Sequence, residues 1–211
     1  MILRRAASWA VLATALTVVV LPVRADPGPP NLAGSAILTN HPSLQHSINR
    51  LFARSAAWRT AVAEIEKLGR RAVVVTAKHV RVKDPRNGKV RPFDDDVLAE
   101  VQPIAEYETR VDAVVVVVNL ELIERALGSI ATISEFEDDL DRVLAHEVYG
   151  HAFPYLLAGD LSGKCADPVA GQRATDACAI KRENEIRSEL RLGQRRDYGL
   201  NGLALARRYR H

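Results

Sequence analysis

The run RVDAVVVVVNL, starting at Arg110, most narrows what this chain can fold into. Val114 to Val118 are five consecutive valines, so polar and apolar positions do not alternate. Branched side chains favour extended backbone, and a strand without a polar face needs apolar cover on both sides. The segment reads as a strand internal to a sheet, and the rest of the chain must supply its neighbours and covering layers.

RAVVVTAKHVRV, from Arg71, reads as a second strand. PRNG at Pro85 to Gly88 is a turn, and KVRPF returns, which predicts a hairpin. FDDDVLAEVQP fits neither period. Upstream, Leu44, Ile48, Leu51, Phe52, Ala56, Ala61, Ile65 and Leu68 recur at helical spacing, predicting a helix from Pro42 to Leu68 that Gly69 ends. Asn119 caps a short helix, LELIERALG. Ser134 to Glu137 (SEFE) is a capping box, and the acids Glu135, Glu137, Asp138 and Asp139 suit the first turns of the helix that follows. That helix turns Leu140, Val143 and Leu144 inward and runs through AHEVYGHAFPYLLAGD to a stop at Gly159. A last helix begins near Ala174 and passes Leu190. The basic tail RRDYGLNGLALARRYRH reads as solvated. This order of elements is α+β, with an antiparallel-rich sheet, rather than alternating β-α units.

Residues 1–25 read as a secretory signal peptide. Arg4 and Arg5 precede an apolar run, and Val23 and Ala25 hold the small-residue positions of a cleavage site. The run from Ala6 to Val23 is also just long enough for a membrane anchor, but Pro22 and the cleavage site favour removal, so no stable membrane insertion is expected. Residues 26–40, beginning DPGPPNLAGS, read as a disordered or extended leader, and residues 41–211 as one domain. Removing Arg4, Arg5 and Arg24 leaves 26 basic against 26 acidic residues. That balance, with 5% aromatic residues, gives no phosphate-binding surface and little to stack on bases, so no nucleic-acid partner is expected. In an exported chain the two cysteines, Cys165 and Cys178, are expected to form a disulfide worth about 3 kcal/mol. Zinc-binding thiolates would need partners at CxxC-like spacing, which the sequence lacks.

The chemistry concentrates in HEVYGH, His146 to His151. It is the zinc-peptidase pattern HExxH lengthened by one residue. Two histidines four apart on a helix differ by roughly 40° and face one ion together, whereas five apart they differ by roughly 140° and cannot. A π-type bulge absorbs one extra residue and recurs at functional sites. Gly150 offers the backbone freedom for it. The workable reading is therefore a bulged helix with His146 and His151 as ligands. The undistorted rival pairs Glu147 with His151, which are four apart.

A zinc site with two histidines and a water needs a third protein ligand. The late helix offers Glu183, Glu185 and Glu189. On a helical wheel Glu183 shares the inward face with Ala179, Ile180, Arg187 and Leu190, while Glu185 lies opposite. A carboxylate on an apolar face needs a partner, and a metal is one. A Glu183–Arg187 pair at i,i+4 is the plainer alternative.

HEVYGH with a downstream helical glutamate resembles the gluzincin branch of the zincin metallopeptidases. The lengthened HExxxH is similar to that of dipeptidyl peptidase III, in the motif only. Glu183, Asn184 and Arg187 form an EN-x-x-R element like that of short effector-type bacterial metallopeptidase domains, which normally carry the unexpanded motif. The likeness spans roughly Ser134 to Tyr198. It implies a small zincin-like domain with the sheet packed on an active-site helix and a C-terminal helix. It also implies Zn2+ on His146, His151 and Glu183, Glu147 as general base, and a peptide or protein substrate met in the periplasm or outside the cell. An alignment with the NExxSD pattern would instead make Glu185 the ligand. Tyr149 and Tyr198 are candidate oxyanion donors, and Asp176 or Asn184 candidate orienters of a histidine. The alternative function is a non-catalytic exported zinc-binding or binding module of the same fold.

Overall fold

A computed structural model describes residues 31–83, 90–93, 97, 99–107, 110–127, 132–159 and 174–195. The expected signal peptide, Cys165 and Tyr198 lie outside them. Among the described residues no helix is long and apolar enough to cross a membrane.

The leader expected over residues 26–40 is ordered from Asn31 onward. Asn31 ties the turn that begins there, donating to the carbonyls of Gly34 and Ile37 at 2.7 and 2.8 Å and accepting from Ala33 N at 3.0 Å. The turn aims Ala33, Ala36 and Ile37 into the core, and Ile37–Leu38 forms strand β1. Two helices follow, α1 (Pro42–Arg54) and α2 (Ala56–Lys67), where the apolar periodicity predicts one. The break is Ser55. Its extended backbone stops α1, and its hydroxyl accepts from Trp58 N at 3.0 Å, so it starts α2 as an N-cap.

Strand β2 (Arg71–Thr76) comes next, then a single 3-10 turn and the small antiparallel pair β3 (Arg81–Lys83) and β4 (Val90–Pro92). The expected hairpin is thus a separate two-stranded sheet. Strand β5 (Ala99–Tyr107), in the segment that fits neither period, runs antiparallel to β6 (Arg110–Val118). The main sheet has the order β1-β2-β6-β5, and β1, β2 and β6 are mutually parallel. α+β holds, but the sheet is mixed rather than antiparallel-rich. The reason is the connection: α1 and α2 give β1 the long crossover that a parallel neighbour requires.

The valine run is internal, as its composition demands. Val114, Val116 and Val118 face the main core under the helices. Val115 and Val117 face a second cluster with Val75 and with Val80 and Phe93, which flank β3 and β4. Alternate residues of one strand therefore serve two apolar layers.

After β6, Asn119 caps α3 (Leu120–Leu127) as expected, its Oδ1 accepting from Leu122 N at 3.0 Å. Helix α4 (Ile133–Leu144) begins two residues earlier than the SEFE reading. The capping box is Thr132 with Glu135, the two reciprocal bonds measuring 3.2 and 3.0 Å. Both T-x-x-E and S-x-x-E patterns occur here. The upstream one leaves Glu137 free to meet Arg50 and His46 on α1. Arg50 also reaches Asp138 at 3.0 Å and the buried Asp141 at 3.1 Å, fastening α1 to α4.

Candidate metal centre

Helix α4 runs directly into a π-helix over Ala145–Ala152, which contains the whole HEVYGH stretch. α-Coiling resumes in α5 (Phe153–Ala158) and stops at Gly159 in the left-handed conformation, φ 71°. The local cause is legible in the chain. Pro154 has no N–H, so the carbonyl of Gly150 cannot receive its α-helical bond from residue 154. Instead Phe153 N donates five residues back to Val148 O, and Arg182 Nη1 donates to Gly150 O at 3.1 Å. Gly150 has a second role that sequence reasoning missed. A Cβ there would lie 3.0 Å from both the Cβ and the carbonyl oxygen of Ala179. Helix α6 (Ala174–Glu189) crosses the π-helix so closely that any Cβ at this position would crowd its backbone.

The distortion brings the histidines together. The rings of His146 and His151 stand edge to face with centroids 4.9 Å apart. His146 is buried, and its Nδ1 lies 2.9 Å from Glu183 Oε2 on α6. Glu183 is 1% exposed, which confirms its inward placement on the wheel. The Glu183–Arg187 pair exists too, with Arg187 Nη1 donating to Oε1 at 2.7 Å. Glu185 and Glu189 go elsewhere: Glu185 Oε2 accepts from Tyr149 OH at 2.9 Å, and Glu189 Oε1 accepts from Ala57 N at 3.3 Å.

Arg195 was the residue missed. The tail it opens was expected to be solvated, yet its side chain is only 14% exposed. Its Nη1 donates to Glu183 Oε2 at 3.0 Å and lies 3.2 Å from His146 Nδ1. Helix α6 ends one residue short of Leu190, and Arg191 takes a left-handed turn, φ 59°. The chain then doubles back along α6. Leu192 N donates to Arg187 O at 2.8 Å, and Arg187 Nε donates to Gly193 O at 2.5 Å. Asn184 clamps the backbone of Arg195 from both sides, donating to its carbonyl and accepting from its N–H, each at 2.7 Å. Asn184 therefore positions Arg195 rather than a histidine. The EN-x-x-R element works as a unit, and the turn back is made at Arg191, with no glycine to mark it. The Asp176 side chain lies outside the described residues.

Electrostatics separate the three titratable groups. Burial lowers the His151 pKa to about 3, with the nearby His146 and Arg182 acting in the same direction, so its imidazole is neutral. Burial raises the Glu147 carboxyl above its usual range, against His146 and Arg195. For Glu183 burial also pushes upward, but the His146 hydrogen bond and charge, with Arg195 and Arg187, bring it down to about 2. Glu183 is ionised, while the acidity of Glu147 is weakened.

Tyr149 faces away from the histidines. It stacks on Trp58 with centroids 6.4 Å apart and meets Phe153 edge-on. It lines a groove of about 560 Å³ with Glu64, Pro154, Arg182 and Glu185. Burial and the Glu185 hydrogen bond raise its pKa, so the phenol stays protonated. Of the other histidines, His46 is exposed against Glu137, and the side chains of His79 and His211 are outside the described residues. Cys178 is buried in α6.

The donors can be tested against zinc. Two ligands of a tetrahedral zinc at about 2.0–2.1 Å stand roughly 3.3 Å apart. His146 Nδ1 and Glu183 Oε2, at 2.9 Å, are within a few tenths of that spacing, with His151 adjacent. The residue types fit the ion. Among the described residues, however, no three histidine, cysteine, aspartate or glutamate side chains stand as a ready-made cage. Arg195 occupies the flank that His146 and Glu183 share. The chain matches no family model, no curated protein and no solved structure.

Proposed function

We propose that the mature chain is an exported zinc-dependent metallopeptidase, with His146, His151 and Glu183 holding the ion and Glu147 as general base. One observation carries the reading. A five-residue spacing that a regular helix would splay is closed by a π-helix spanning that motif, which brings the two rings to 4.9 Å. Such segments are rare and recur at functional sites.

Zinc, when bound, supplies Lewis-acid activation of water and of the scissile carbonyl. The chain's own groups do the rest. Glu147, with its affinity for a proton raised by burial, is suited to take one from water and pass it to the leaving amine. Neutral His151 keeps a lone pair for the ion. Glu183, held ionised, supplies negative charge to the ion. Strand β5 forms one edge of the sheet and packs against the π-helix, so an extended peptide could add alongside it as a strand. Tyr149, bonded to Glu185 on the far side, is a poor oxyanion donor here.

A second reading is a zinc-binding module of the same fold without catalysis. It is favoured by the two arginines on Glu183. Metal analysis and a peptidase assay decide between them. The peptidase reading expects about one zinc per chain, cleavage that chelators abolish, and a Glu147→Gln variant that keeps the metal and loses hydrolysis. Zinc without cleavage supports the binding module, and absence of zinc from freshly purified protein refutes both.

A further inference from the structure

Arg195 Nη1 stands 3.0 Å from Glu183 Oε2 and 3.2 Å from His146 Nδ1, two atoms that are themselves 2.9 Å apart. Both are groups that the metallopeptidase reading gives to the ion, and the inference rests on that reading. Nδ1 donates to the ionised Oε2, and Nη1 donates to the same oxygen while lying against the imidazole edge. A cationic nitrogen thus sits on the carboxylate oxygen and beside the imidazole nitrogen, the place a divalent metal would take against the same pair. The guanidinium is not there by chance of a long side chain. Its backbone is held by the two Asn184 bonds of 2.7 Å, and the preceding turn is held by Arg187 on Gly193 O.

We propose that Arg195 is a resident cation that competes with the metal, and that the strap Leu192–Arg195 must release Glu183 for zinc to bind. Loading is an exchange of one cation for another. The buried Glu183 carboxylate is never left without positive charge, since Arg187 stays on Oε1 throughout. Coulomb repulsion and shared acceptor atoms both disfavour guanidinium and Zn2+ on the same oxygen. The exchange therefore tunes metal affinity from a strap that forms no part of the π-helix.

The test is zinc affinity of the full mature chain, measured by competition with a chromogenic chelator. Arg195→Gln should bind zinc about tenfold more tightly or better, the scale of a charge-assisted hydrogen bond. Removing a nearby positive charge would tighten binding at a distance even without competition, so a second variant is needed. Asn184→Ala leaves every charge in place and frees only the strap. It should tighten zinc several-fold, and a thermal melt of each variant confirms that it folds. If Asn184→Ala binds zinc no more tightly than the parent, the exchange is wrong even where Arg195→Gln gains. If the parent binds one zinc that His146→Ala and His151→Ala lose, while both strap variants are unchanged, only the exchange falls. If the parent binds none, the metallopeptidase reading falls with it.

Discussion

Replacing Gly150 with alanine probes the contact on which the site depends. The new Cβ would lie 3.0 Å from Ala179 Cβ, 3.0 Å from Ala179 O and 3.1 Å from Ala179 Cα. Ordinary carbon contacts are about 3.5–4.0 Å, so α6 must retreat by several tenths of an ångström. The atoms in the way include backbone, and no rotamer change relieves them. Overpacking of this kind costs about 1–3 kcal/mol, while alanine returns about 0.5–1 kcal/mol over glycine in a helix. The net expectation is a loss of about 1–2 kcal/mol, seen as a melting temperature lower by about 3–8 °C. Bonds that cross the same interface include His146 to Glu183, Tyr149 to Glu185, and Arg182 to Gly150 O. Zinc affinity should therefore fall about tenfold, more than stability alone accounts for. Circular dichroism melts and chelator competition measure the two effects. Adding Ala179→Gly removes one of the clashing atoms and should restore only part of the loss. A Gly150→Ala protein that melts higher and holds zinc as before would refute the close-approach account, leaving helix propensity as the dominant effect.

Two further outcomes follow from the same geometry. Pro154→Ala gives residue 154 an N–H that can reach Gly150 O, which favours regular coiling over the π register. Zinc affinity should drop although a helix-breaking residue has been removed, and an unchanged affinity would show that α6 alone fixes the register. Asp141→Asn concerns stability. Burial raises the Asp141 carboxyl from 3.8 to about 6, against the Ser47 hydrogen bond and Arg50. A raised carboxyl means the folded chain holds the proton more tightly than the unfolded chain. The destabilisation is absent below about pH 4, grows as pH rises toward 6, and is fully present above, at about 3 kcal/mol at most. The variant should gain about 1–3 kcal/mol in urea unfolding at pH 7.5 and nothing at pH 4. Equal gains at both would mean that ionisation is not the cause.

Local rules made much of the fold and site legible in advance. The valine run had to be covered on both faces, and it is. Five residues between His146 and His151 demanded a π-type turn if the rings were to meet, and Pro154 with Gly150 sits where that turn is made. Glu183 on the inward stripe of its helix had to find a partner. Each of these follows from backbone geometry or from the cost of leaving a group unsatisfied, and so is written in a few neighbouring residues. What the chain could not announce was set by segments distant in sequence. Ser55 could have lain inside one long helix, and it breaks there because α1 and α2 must cross back over the sheet. β1 became a parallel edge strand with Ile37 in the core because Asn31 could tie its turn against Ile37. Arg195 looked like the first charge of a solvated tail. It lies on Glu183 because a left-handed Arg191 and an Asn184 clamp fold the chain back along α6, and only that return shows a cation beside the carboxylate and imidazole.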